Sequence, residues 1–140
     1  MKLDLSSLTK AVESLERTLK VAENKTLIDS LDKDVNNAIR AGVIQNFEFT
    51  YELSWKLLKR YLEANLGSVY VEGINRRELF RLAAENRLID DVNQWMEYHD
   101  ARNETAHTYN EDTAQDVFET SLRFLGDVKK LTNALEARNA

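Results

Sequence analysis

The apolar residues near the amino terminus recur with the period of an α-helix. The stripe consists of Leu8, Val12, Leu15 and Leu19. Spacings of four, three and four place these side chains on one helical face. The pattern predicts a first helix over residues 6–22, which Asn24 and Lys25 would end. Asp32 and Asp34 are candidate caps for a second helix.

The second predicted helix, over residues 34–65, carries two apolar stripes. The first stripe consists of Ile44, Phe47, Tyr51, Trp55, Leu58 and Leu62. The second stripe consists of Phe49, Leu53, Leu57 and Tyr61. A polar arc consists of Gln45, Glu48, Glu52, Lys56, Lys59 and Glu63. Since a surface helix usually buries one stripe, this helix either lies at the centre of a monomeric bundle or also faces a second protomer. The pattern leaves both interpretations open.

A short third helix is predicted after a loop over residues 67–73. Asn75 and Glu78 form a capping pair at its start. Leu79, Leu82 and Ala83 would then face inward, which gives the segment the apolar side of a small amphipathic helix.

Two longer helices complete the prediction. Asp90 and Asp91 would cap the fourth helix, and either Asn110 or Asp112 would cap the fifth. The fourth helix carries Val92, Trp95 and Met96. The apolar face of the fifth consists of Ala114, Val117, Phe118, Ser121, Leu122, Leu125, Val128, Leu131 and Leu135. The predicted fold class is all-α: an up-and-down antiparallel helical bundle of four main helices plus a short helix.

Composition supports this fold and narrows the classes of function. With four glycines and no proline, the 140 residues suit helices joined by short connections, and the length fits a single domain over residues 1–140. The absence of cysteine excludes disulfides and thiolate metal sites. No apolar run approaches the ~18 residues of a membrane span, and residues 1–5 read as amphipathic helix rather than signal peptide. A soluble, cytoplasmic protein is expected.

Charge argues against a broad nucleic-acid-binding surface. Nineteen Lys and Arg residues against 24 Asp and Glu residues give a net charge of −5, which still permits a small basic site. The densest basic cluster lies around the short helix and consists of Arg76, Arg77, Arg81 and Arg87. This cluster is either a solvated helix face or a contact for RNA or a protein partner.

Candidate chemistry concentrates in residues 102–109, Arg-Asn-Glu-Thr-Ala-His-Thr-Tyr. The imidazole of His107 can move protons near neutral pH, and the guanidinium of Arg102 can hold a phosphate through paired hydrogen bonds. The phenol of Tyr109 adds a group that can donate, accept or be modified. Together they indicate phosphate or RNA chemistry without a metal, although Arg-x4-His alone is a short pattern that also arises by chance.

A continuous helix would separate the two main groups of this motif. Arg102 and His107 would lie about 140° apart, because each residue turns ~100°. Either the helix ends or distorts near Thr105, or the site combines residues from two protomers around a twofold axis. Asp100 and Asn103 would lie on the same side as His107.

Each motif residue also has a structural interpretation. His107 could be a helix-end or core histidine, and Arg102 could form a salt bridge, with Asp100 near. Asn103 could bond to the backbone, and Tyr109 could be a core aromatic. His99 is interpreted as structural. No metal or other cofactor is expected, because Asp100 and His107 provide too few ligands.

The sequence resembles a known family in two places. Residues 45–62, Gln-Asn-Phe-Glu-Phe-Thr-Tyr-Glu-Leu-Ser-Trp-Lys-Leu-Leu-Lys-Arg-Tyr-Leu, resemble the signature helix of the nucleotidyltransferase substrate-binding protein family. Residues 102–109 are similar to the Arg-x4-His-x-Tyr motif of the same group, which belongs to the HEPN superfamily (higher eukaryotes and prokaryotes nucleotide-binding domain). The resemblance extends over nearly the whole chain.

The resemblance implies a helical bundle that forms a homodimer and works in a two-protein, toxin–antitoxin-like module. The partner would be a minimal nucleotidyltransferase. Family members with the intact motif are metal-independent endoribonuclease toxins, and the nucleotidyltransferase acts as their antitoxin by adding AMP to the motif tyrosine.

The same resemblance assigns roles to individual residues. Arg102 would hold the scissile phosphate, and His107 would act as general base or acid on the ribose 2′-hydroxyl or the leaving oxygen. Asn103 would support the polar pocket, and Tyr109 would accept AMP. Asp100, on the same predicted face as Asn103 and His107, is a further candidate for a supporting polar group. The 140° separation makes it difficult for Arg102 and His107 of one helix to act on the same phosphate. A composite dimer site would avoid this difficulty, because the paired motifs could face one another.

Three hypotheses follow from these observations. The first is a homodimeric metal-independent ribonuclease. The second, favoured by the acidic net charge, is a non-catalytic subunit that binds a substrate or nucleotide for the nucleotidyltransferase. The third, suggested by the two-striped helix, is a purely structural partner, for which Phe49 and Leu53 would matter and Arg102 would not.

Overall fold

The computed structural model describes residues 2–107 and 110–139, with the backbone alone for residues 106 and 107. Within these ranges the chain forms seven helices and no strand. They are α1 (Ser6–Glu23), α2 (Lys25–Ser30), α3 (Lys33–Leu66), α4 (Ser68–Val71), α5 (Arg76–Glu85), α6 (Val92–His107) and α7 (Glu111–Arg138). None of the described helices is long and apolar enough to cross a membrane. The predicted all-α class is confirmed.

The four long helices α1, α3, α6 and α7 form an up-and-down bundle. Between α1 and α3, Ser14 donates a hydrogen bond to Asn46 at 3.0 Å, and Thr50 donates to the carbonyl of Ala11 at 3.3 Å. Position numbers therefore rise along one helix as they fall along the other, which makes the pair antiparallel. The side-chain contacts between α3 and α6 follow the same rule, as do the ion pairs that α7 makes with α6 and with the turn before it.

The predicted caps begin the helices. Four side chains each accept a hydrogen bond of 2.9–3.1 Å from the backbone N–H three residues further on: Asp32, Asn75, Asp91 and Asn110. Such caps satisfy backbone donors that a helix leaves without partners at its first turn. The open choice at the start of α7 is resolved in favour of Asn110.

Two short helices were not predicted. Asn24, expected only to end α1, also caps α2 by accepting from the N–H of Leu27 at 3.1 Å. Residues 67–73, expected to be a loop, contain α4. Gly67 has φ +99°, a conformation that ends α3 and lets a new helical turn begin immediately.

An aromatic cluster forms the centre of the core. The ring of Phe124 lies 5.1 Å from that of Phe47, 5.7 Å from Trp95 and 5.0 Å from Tyr98, in edge-to-face arrangements. All four side chains are buried. Phe124 and Tyr98 were absent from the predicted apolar faces, although they join α6 and α7 to α3.

The two stripes of α3 have different environments. The first is buried apart from Trp55, which is half-buried. In the second, Leu57 is buried and Leu53 and Tyr61 are half-buried, whereas Phe49 is 58% exposed. A central position in the bundle therefore accounts for the carboxy-terminal part of the second stripe and leaves Phe49 on the surface.

Candidate functional site

The motif lies at the carboxy-terminal end of α6. This helix continues to His107, so the alternative in which it ends near Thr105 is wrong. The separation of about 140° between positions 102 and 107 consequently applies to the folded protomer. The side chain of His107 and all of Tyr109 lie outside the described residues.

Arg102 forms ion pairs with two glutamates of α3. Its Nη1 lies 3.5 Å from Glu48 Oε2, and its Nε lies 3.5 Å from Glu52 Oε1. Arg102 therefore forms an intramolecular salt bridge, as its structural interpretation allowed, but the partner is not the nearby Asp100, because residues two apart on a helix do not face each other. Asp100 is instead exposed and lies on another side of α6. Glu48 and Glu52 are one helical turn apart in the polar arc, so the sequence indicates that their carboxylates share a face of α3 but not which cation they meet.

Charge rather than tight hydrogen bonding holds Arg102. Its Nε is enclosed and has no hydrogen-bond partner among the described residues, since the ion-pair distance of 3.5 Å exceeds the usual hydrogen-bond range. Glu52 is itself oriented by the indole N–H of Trp55, which donates to it at 3.1 Å. The guanidinium is therefore positioned, while its terminal Nη groups remain available to a ligand that binds more closely than the glutamates.

Arg102 borders an open groove of about 750 Å³ on the surface of α3. The groove is lined by Ala41, Ile44, Gln45, Asn46, Glu48, Phe49, Glu52 and Arg102. An exposed aromatic ring thus adjoins a charged cluster. No group of three or more His, Asp or Glu side chains in the described ranges could hold a metal ion.

A second polar cluster lies beside the motif, where α3, α5 and α6 meet. The hydroxyl of Tyr51 is 2.9 Å from His99 Nδ1 and accepts a hydrogen bond from Arg76 Nη1 at 3.0 Å. On the other side of the imidazole, the amide of Asn103 lies 3.2 Å from His99 Nε2. The Arg76 guanidinium stacks over the ring of Trp55, 3.6 Å from its centre.

Burial sets the protonation of this cluster. Desolvation raises the pKa of Tyr51 well above the ordinary value for tyrosine, and the Arg76 cation opposes that shift only in part. Desolvation, followed by Arg76, lowers the pKa of His99 below the ordinary value for histidine. At neutral pH the cluster therefore contains a neutral phenol and a neutral imidazole.

The predicted basic cluster separates in the structure. Arg76 is half-buried and turns towards Tyr51, which connects it to the motif through His99. Arg77 is exposed and donates to Asn93 at 3.2 Å, and Arg81 is exposed. The sequence pattern does not distinguish these arginines from one another and gives no sign that Arg76 contacts the motif.

The helical bundle and the motif on α6 together define a class of protein, and comparison with known proteins identifies its family. The chain belongs to the family described as nucleotidyltransferase substrate binding protein like, whose model matches residues 3–137. The resemblance of residues 45–62 and 102–109 is thereby confirmed at the level of the family.

Similar proteins are found in two bacteria. A probable ribonuclease HepT of Haemophilus influenzae is 34% identical over 139 residues, which cover 99% of this chain and 95% of that protein. A solved structure from Haemophilus influenzae, described as the fold of a substrate binding domain of a nucleotidyltransferase, has a TM-score of 0.91 at 33% identity and covers 95% of this chain and 99% of its own. A crystal structure from Thermus thermophilus has a TM-score of 0.68 at 28% identity, covering 89% of this chain and 98% of its own.

Proposed function

We propose that the protein is the ribonuclease member of a two-protein, toxin–antitoxin-like module, in which a small nucleotidyltransferase is its partner. The family description and the relative named a probable ribonuclease support this proposal. The observation that carries it is the position of Arg102 at an open groove, on the same helix as His107. A guanidinium and an imidazole that act on the same phosphodiester can provide phosphate binding and proton transfer without a metal.

The proposed active site is composite. Because α6 is continuous, Arg102 and His107 of one protomer diverge by about 140°. Two protomers related by a twofold axis would allow the paired motifs to face one another. The groove with exposed Phe49 is the proposed contact for the second copy, since it adjoins Arg102 directly.

The proposed reaction is an internal transfer of the phosphodiester. His107 removes the proton of the ribose 2′-hydroxyl or protonates the leaving oxygen. The 2′-oxygen forms a bond to phosphorus while the bond from phosphorus to the 5′-oxygen breaks, which yields a cyclic phosphate and a 5′-hydroxyl. Arg102 leaves Glu48 and Glu52 to hold the phosphate, because a guanidinium donates two parallel hydrogen bonds to that group.

The test of this function is incubation of the purified protein with total RNA in the presence of EDTA. Cleavage is expected, because no step requires a metal. A protein that cleaves only after addition of a divalent cation would contradict the proposed mechanism. A folded dimer that leaves RNA intact under every condition would favour the second candidate.

The second candidate is a non-catalytic subunit that binds a nucleotide or substrate for the nucleotidyltransferase. Its support is the acidic surrounding of Arg102, where Glu48 and Glu52 would oppose the entry of a long polyanion, together with the net charge of −5. It predicts nucleotide binding that depends on Arg102 without any loss of RNA.

The proposed dimer contact can be tested by Phe49→Asp. A carboxylate in place of the Phe49 ring would be buried in the contact at a high desolvation cost and would add negative charge beside Glu48 and Glu52, so this variant is expected to be monomeric where the wild type is a dimer. Light scattering coupled to size-exclusion chromatography measures the mass. Val69→Asp is the matched control, because Val69 is 86% exposed on α4, outside the groove. A dimeric Phe49→Asp variant would refute this contact.

Tyr109 is proposed as the acceptor of AMP. Its phenolic oxygen would attack the α-phosphorus of ATP bound to the nucleotidyltransferase, and pyrophosphate would leave. The product adds bulk and negative charge beside the phosphate site, which would block RNA.

Intact-mass measurement after incubation with the cognate enzyme and ATP tests this step. Wild type is expected to gain the mass of one AMP, and Tyr109→Phe is expected to gain none. Tyr70→Phe is the control, because Tyr70 is 69% exposed and distant in sequence from the motif. AMP found on any other residue would overturn the assignment.

A further inference from the structure

We propose that His99 is a positioning residue that orients the side-chain amide of Asn103, with Tyr51 and Arg76 behind it as a relay. The inference rests on the proposed function, because the oriented amide would contact a phosphate oxygen in the composite site, on the side of α6 that Asn103 shares with His107. It concerns a histidine that lies outside the Arg-x4-His-x-Tyr motif and that sequence analysis interpreted as structural.

The donors and acceptors of the relay can be assigned from Arg76, because a guanidinium can only donate hydrogen bonds. Its Nη1 donates to the hydroxyl oxygen of Tyr51 at 3.0 Å, while its stacking on Trp55 at 3.6 Å restrains the guanidinium. The phenolic oxygen is therefore an acceptor in this contact, and its own proton remains to be donated. The acceptor within reach is His99 Nδ1, at 2.9 Å.

The same cation determines where the imidazole carries its proton. Arg76 Nη1 lies 3.5 Å from His99 Nδ1, so a proton on Nδ1 would point towards a positive charge. Burial and Arg76 also lower the pKa of His99, and Asp100 and Glu52 oppose them less strongly. A neutral imidazole that accepts at Nδ1 carries its single proton on Nε2.

The Nε2–H group then selects the orientation of Asn103. The structure places the amide nitrogen Nδ2 of Asn103 3.2 Å from Nε2, and a half-turn of the amide, which exchanges its oxygen and nitrogen in nearly the same volume, brings Oδ1 to this position instead. A donor at Nε2 requires the oxygen Oδ1 of Asn103 on this side. In this orientation the amide nitrogen would point away from His99 and present its hydrogens to solvent, on the side of α6 that Asn103 shares with position 107. Those hydrogens are donors for a phosphate oxygen.

The direct test is the tautomer of His99, measured by two-bond ¹H–¹⁵N correlation of the imidazoles at neutral pH. The chain has two histidines, so comparison with His107→Ala assigns the signals. The Nε2–H tautomer is expected in the wild type. In Arg76→Leu, His99 should be a mixture of the two tautomers. In Arg81→Leu, which changes an exposed residue of the same helix, the tautomer of His99 should be that of the wild type. The Nδ1–H tautomer in the wild type would overturn the relay.

A kinetic comparison tests the positioning role. His99→Ala is expected to raise KM for RNA about tenfold, the size of one lost hydrogen bond to a charged group, with a smaller effect on kcat. His99→Gln should recover most of that loss, because its amide N–H can still donate to Asn103 Oδ1. Equal losses in both variants would overturn the role.

The two measurements separate this inference from the proposed function. If the wild type cleaves no RNA but His99 is the Nε2–H tautomer, the ribonuclease proposal fails and the relay that orients Asn103 stands. If His99 carries its proton on Nδ1, the relay fails whether or not RNA is cleaved.

Discussion

Replacing Arg102 with alanine is expected to lower metal-independent RNA cleavage by about 10²–10³-fold, the loss seen when a donor aimed at transition-state charge is removed. Negative charge accumulates on the phosphate oxygens as the 2′-oxygen attacks. The guanidinium, which borders the groove and is held at 3.5 Å by Glu48 and Glu52, would stabilise that charge. The measurement is the cleavage rate of a labelled RNA in EDTA.

A matched control distinguishes this role from general attraction to RNA. Arg123 is an arginine of α7 that pairs with Glu97 at 3.6 Å, so Arg123→Ala removes the same charge from another surface. Its cleavage rate should equal that of the wild type. His107→Ala should lose about 10²–10⁴-fold, the usual contribution of a general acid or base. If Arg102→Ala cleaved the RNA at the rate of the wild type, the proposed site would be contradicted.

Replacing Phe124 with alanine is expected to lower the free energy of unfolding by about 3–5 kcal/mol. The ring is fully buried and lies at the centre of the aromatic cluster, against Phe47, Trp95 and Tyr98. Its removal would leave a cavity at the junction of α3, α6 and α7, which rigid aromatic neighbours cannot fill. Urea unfolding, followed by tryptophan fluorescence and circular dichroism, measures the change.

Tyr70→Ala is the control for this loss of stability. Tyr70 is also aromatic, but it is 69% exposed on α4, so the change in unfolding free energy should stay within about 0.5 kcal/mol. A Phe124→Ala variant that unfolds at the urea concentration of the wild type would show that the cluster does not support the fold.

Local signals in the sequence predicted most of the secondary structure. The apolar periodicity of α1 and α3 predicted their bounds to within one residue, because the pattern repeats with every turn of the helix. The capping residues predicted helix starts, since a cap bonds to a backbone N–H three residues away. The short helices α2 and α4 escaped prediction because neither is long enough to show a repeating pattern.

The candidate site could be predicted only in part. Arg102, Asn103 and His107 occur together in one short segment, so the motif named them as candidates before any fold was known. Their surroundings come from other helices. Glu48 and Glu52 were assigned to a polar arc, and nothing in their own segment indicates that Arg102 meets them across the bundle.

The sequence by itself determined the family, the long helices and the face of each helix that carries apolar side chains. The tertiary structure alone decided that Tyr51, Arg76 and His99 share one hydrogen-bonded cluster and that Phe49 remains exposed. The physical reason is that periodicity places a residue on a face of its own helix. The rotation and offset of one helix against another depend on how all side chains pack together.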